Sequence, residues 1–139
     1  MNEVRNILKL TYTKKSTPTD IEFAIMHMYG FFLLLNIQKE EAYNYLINIK
    51  KYIENINFIH TRYTVPRFYV QLIIASLDTS HLNECLEHID YAIEYCKEYN
   101  THSALRELYF LKSELYFNIF IKSRLKQLKQ ISLARNLNE

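Results

Sequence analysis

His81, Cys85 and His88, with Glu84 among them, are the residues in this chain whose types and spacing most resemble a metal site. Offsets of four and three place them on one side of a helix, and imidazole with thiolate is a donor set that zinc accepts. Against a metal centre stands Cys85, which falls where an internal repeat calls for a buried small residue. No metal and no cofactor are expected. Carboxylates pair at Glu40 with Glu41 and at Glu84 with Glu87. Both pairs lie at predicted helix starts, where the helix dipole favours acids. No neighbour would push their pKa values apart, as acid–base catalysis requires. His27, His60 and His102 are scattered and read as polar contacts. A single glycine leaves no phosphate loop, dinucleotide fingerprint or nucleophile elbow, since each needs several. The chain is expected not to be an enzyme.

The remaining polar chemistry is cationic. Arg67 and Arg106 are suited to gripping a carboxylate through two parallel hydrogen bonds. Lys122, Arg124, Lys126, Lys129 and Arg135 follow one another with no acid between Glu114 and Glu139. They read first as a solvated terminal helix with cations favoured near its end, and second as a phosphate-binding strip. Net charge is only +2 over 139 residues, so nucleic acid is not expected as a partner of the chain as a whole. Cys85 and Cys96 lie eleven residues apart on one predicted helix, roughly 16 Å along its axis, too far to bridge. They read as buried thiols of a reducing compartment. Met1 to Leu10 is polar and charged, unlike a secretory leader. The apolar stretch Phe23 to Leu35 is too short to span a bilayer. A cytoplasmic protein without membrane contact is expected.

The elements that must position these groups are helices. The one glycine, Gly30, belongs to a pattern that recurs 43 residues later. Met26, Tyr29, Gly30 and Leu33, then Ala42, Leu46 and Ile49, correspond to Tyr69, Leu72, Ile73 and Ser76, then Cys85, Ile89 and Ala92. Large and small residues alternate on a first helix and face a small, a large and a third packing residue on a second, as in a tetratricopeptide-like hairpin. Helical spacing of Val4, Ile7, Leu8 and Tyr12 predicts an N-terminal helix within 1–15. A first hairpin spans 18–54, with Thr17, Pro18 and Asp20 marking its start. A connection over 55–65 leads to a second hairpin at 66–99, with Ser80 as the cap of its second helix. Residues 102–136 form a degenerate third hairpin or one long helix. The fold class is all-α: antiparallel hairpins stacked as a short right-handed α-solenoid of six to seven helices, in one domain.

In such a stack the first helix of each pair lines the inner face. The inward positions are Ala24, His27, Phe31 and Leu34 on the first hairpin and Arg67, Val70, Ile74 and Leu77 on the second. On the third they are Arg106, Tyr109, Ser113 and Tyr116. They describe an apolar and aromatic groove with two arginines, suited to a short apolar peptide with a carboxylate. Twelve Tyr and eight Phe agree with a face that contacts something, because a buried phenol needs a wet edge or a partner. Two other readings stand beside it. The groove is core, covered by a terminal helix, or it buries a second copy of the chain.

Leu86 to Asn100, LEHIDYAIEYCKEYN, followed by Leu105 to Tyr116, LRELYFLKSELY, resembles the tetratricopeptide-like domains of the Rgg/PlcR-type peptide-pheromone-sensing regulators of Gram-positive bacteria. The resemblance is clearest over 66–117. It implies a peptide-binding or dimerising domain of a transcription regulatory, quorum-sensing system. By repeat geometry the peptide site falls on Arg67, Val70, Ile74, Arg106, Tyr109 and Ser113. That family carries a helix-turn-helix domain before its repeats, and only 19 residues precede Asp20 here. The expected function is therefore a non-enzymatic module binding a short peptide or partner protein. The alternatives are a homodimeric regulatory domain that pairs with a larger relative, and a nucleic-acid binder using the basic C-terminal helix.

Overall fold

The computed structural model describes residues 18–53, 63–79 and 81–136. The expected N-terminal helix, most of the 55–65 connection and the Ser80 cap lie outside the described residues. These fold as α1 (Asp20–Leu35), α2 (Lys39–Lys50), α3 (Thr64–Asp78), α4 (Leu82–Glu98) and α5 (His102–Asn136). The described residues are all-helical, with five helices where six to seven were expected. The difference at the C-terminal end is physical. Residues 102–136 contain no Gly or Pro, so nothing breaks the 35-residue α5, about 52 Å long.

Local signals set the helix ends. Thr19, not Thr17, caps α1. Its hydroxyl accepts the Glu22 N–H at 3.3 Å, and the Glu22 carboxylate accepts the Thr19 N–H at 2.8 Å, a reciprocal capping box. At the other end Ile37 takes φ 62, and the N–H groups of Ile37 and Gln38 return to the Leu34 and Leu33 carbonyls at 3.0 Å each. Asn100, at φ 55, ends α4 in the same manner, with Thr101 N–H on the Cys96 carbonyl at 2.9 Å. Pro66 sits in the first turn of α3, where its missing N–H costs nothing.

Each helix packs on its chain neighbours, and α3 also touches both α1 and α5. The result is two layers: α1, α3 and α5 in one, α2 and α4 in the other. The core between them holds Phe23, Leu46, Phe68, Leu72, Ile89 and Leu108, all fully buried. Every member of the 43-residue pattern is buried except the half-buried Tyr29. Gly30 shows what the small positions do. A Cβ built there would lie 2.8 Å from Leu46 Cγ, so α1 and α2 approach as closely as their backbones permit. Among the described residues no helix is long and apolar enough to cross a membrane.

Candidate functional site

The inward positions named from sequence fall on α1, α3 and α5 but do not share one face. Helix α3 is nearly engulfed: Arg67 and Asp78 are the only exposed residues of its fifteen. Asp78 is tied to Lys39 at 2.9 Å. Arg67 projects on the same side as the half-buried Ile74, seven residues on. On the flanking α5, Arg106, Tyr109, Ser113 and Tyr116 are all exposed, and on α1 Phe31 is exposed. Tyr109 and Tyr116 lie near Lys112, which is paired to Asp90 of α4, and Tyr109 also lies near Lys97 of α4, so these rings stand on the α4 side of α5 rather than beside Arg67. Among the described residues no carboxylate is paired to Arg67 or Arg106.

His27 and Val70 sit elsewhere. Both are buried, at 5% and 7% exposure, in the layer rather than lining an open groove. His27 Nδ1 lies 3.3 Å from Gln71 Oε1, a polar bridge between α1 and α3. Burial pushes the His27 pKa down, opposed by the Gln71 bond and reinforced by the nearby Arg67 charge. Sequence reading passed over Gln71, a polar residue inside an otherwise apolar helix and the needed partner of a buried imidazole.

The metal-like trio separates. His81 stacks on Tyr43, centroids 3.8 Å apart and planes within 9°, with Glu40 3.7 Å from its Nε2. Cys85 is fully buried, its sulfur 3.9 Å from the Ile73 carbonyl, and burial raises its pKa to about 12. His88 turns inward. Its Nε2 is buried with no hydrogen-bond partner, and burial, then the Lys50 charge, lowers its pKa to about 4. It borders a cavity of about 210 Å³ shared with Lys50, Tyr69, Glu87 and Tyr91. Among the described residues no three His, Cys, Asp or Glu side chains converge as metal ligands do. Cys85 and Cys96 are buried free thiols.

A second surface, which takes the expected inward position Ala24 but was otherwise passed over in the sequence, lies on α1. Ile21, Ala24, Ile25, Met28, Tyr29 and Phe32 line a shallow apolar groove of about 410 Å³ on the far side of α1. The signal was present in the spacing: Ile21, Ile25, Met28, Phe32 and Leu35 recur at helical intervals without a charge.

No protein family, curated protein or solved structure matches the chain.

Proposed function

We propose that this chain is a non-enzymatic, tetratricopeptide-like docking module that takes a short apolar peptide, or an extended segment of a partner protein, across its α1, α3 and α5 layer. The observation that carries this reading is Arg67. It is the one exposed side chain of an otherwise engulfed helix that is left without an ion pair among the described residues. A guanidinium held on a rigid helix among aromatic and aliphatic neighbours suits a peptide carboxylate. The resemblance to Rgg/PlcR-type sensors supports the same reading and suggests a regulatory role in the cytoplasm. The buried groups are poor catalysts: an imidazole held neutral and a thiol with a raised pKa lack the paired activation that nucleophilic chemistry needs.

The test is calorimetric titration with a library of short apolar peptides, each with a free and an amidated C-terminus. Binding is expected for free-carboxylate members, and Arg67→Ala should abolish it. Unchanged affinity in that variant would remove Arg67 from the site. A second reading has its own observation, the exposed cations of 116–136 with no acid among them. It predicts nucleic-acid binding that falls steeply with salt as counterions are released.

A further inference from the structure

The C-terminal part of α5 has no place on its own body. Lys112 pairs with Asp90 at 2.7 Å, which fixes the antiparallel register of α5 on α4. Residues beyond about 120 therefore pass the N-terminal end of α4 at Leu82. Every described side chain from Ile119 to Arg135 is exposed. The face that packs inward through Leu108, Leu111 and Leu115 continues as Lys122, Lys126 and Lys129, so packing stops there. A helix of about 16 residues, roughly 24 Å, projects with large apolar groups uncovered.

Its other side is unusual. Phe117, Ile121, Leu128 and Ile131 recur at intervals of four and three, and Arg124 and Arg135 stand inside that apolar stripe. A surface that covers the stripe must present carboxylates eleven residues apart among less polar groups. The outer face of α4 does so. Glu87 and Glu98 are eleven apart, both exposed, with Tyr91 between them at 49% exposure. Charge agrees on the larger scale. Residues 116–136 carry five cations and no acid, whereas residues 18–115 carry thirteen acids against eight cations. The projecting helix cannot reach Glu87 and Glu98 of its own chain, because α5 is one continuous helix running the other way past α4.

We infer that the projecting part of α5 docks on the Glu87–Tyr91–Glu98 face of α4 in a second copy of this chain, and that the exchange is reciprocal. Arg124 and Arg135 meet the two glutamates, and the apolar stripe covers Tyr91. One two-fold axis satisfies both tails at once, as in closed dimers generally. The proposal does not rest on peptide binding: Glu87, Glu98, Arg124 and Arg135 are not among the residues assigned to the peptide.

The experiment is sedimentation velocity on the full chain over a wide concentration range at low and high salt. A dimer is expected that dissociates more readily as salt rises. Reversing the tail (Arg124→Glu with Arg135→Glu) and reversing the face (Glu87→Arg with Glu98→Arg) should each weaken association roughly tenfold or more. All four residues are exposed, and circular dichroism checks that each variant keeps its helicity. An equimolar mixture of the two variants should restore dimers, because each tail then meets a face of opposite charge. The inference is overturned by a wild-type monomer at every concentration in low salt, by association that either reversal leaves unchanged, or by folded variants that fail to associate when mixed.

Discussion

At Ile37 the backbone sits at φ 62 with a β-branched side chain that is 78% exposed. The Schellman turn after α1 needs the left-handed conformation, and isoleucine is among the worst residues to supply it. Ile37→Gly removes that strain and loses no packing. It should stabilise the fold by up to about 1 kcal/mol even after the added freedom of the unfolded chain, read as a higher denaturant midpoint with an unchanged slope. His88 sets a different test. An unfolded histidine takes its proton near pH 6.5, while folded His88 resists until about pH 4. Its contribution is fully present above pH 6.5 and is lost as pH falls toward 4, by up to about 1.4 kcal/mol per unit. His27, also lowered, adds to the same limb. Urea melts between pH 7 and 4 should show this slope, and His88→Leu should flatten it; an equally steep limb in the variant would place the acid sensitivity elsewhere.

Between elements, the close approach of α1 and α2 depends on Gly30. An added methyl would meet the fully buried Leu46 at its branch point, not merely at a mobile tip. Gly30→Ala should therefore destabilise the fold by about 1–3 kcal/mol, the usual cost of overpacking, despite the better helix propensity of alanine. A neutral or stabilising result would mean that Leu46 repacks without cost. The opposite expectation holds for the far part of α5. Its described side chains beyond Ile119 are all exposed, so a chain ending at Ile119 should match the unfolding free energy of the dilute full chain within about 0.5 kcal/mol. A large loss would show that the projecting segment supports the body.

On the scale of the whole molecule, two layers leave three surfaces with different chemistry: the exposed Arg67 of the otherwise engulfed α3, an uncharged apolar groove on the far side of α1, and an acidic, tyrosine-bearing face on α4. The first suits a peptide and the third suits a cationic helix. Peptide binding should therefore survive in the charge-reversed, monomeric variants, measured by the same calorimetric titration, because the reversed residues lie away from Arg67. Peptide affinity that vanishes with dimerisation would show the two surfaces to be one site.

The sequence by itself determined the all-helical class and most element boundaries, because helical periodicity, caps and turn residues act locally. The pattern around Gly30 and its recurrence 43 residues on marked buried positions, all but the half-buried Tyr29, since apolar and small residues at helical spacing fall on the packed side of a helix. Which inward positions remain open was a tertiary matter. His27 and Val70 share the spacing of Phe31 and Arg67, yet burial depends on how near α1 comes to α3, and Gln71 draws His27 inside. The single continuous α5 was legible as one of two options, and the absence of a breaker decided it. Its projection past α4 was not legible, because it follows from the register fixed by Lys112 and Asp90, a contact between residues 22 apart that no local pattern announces.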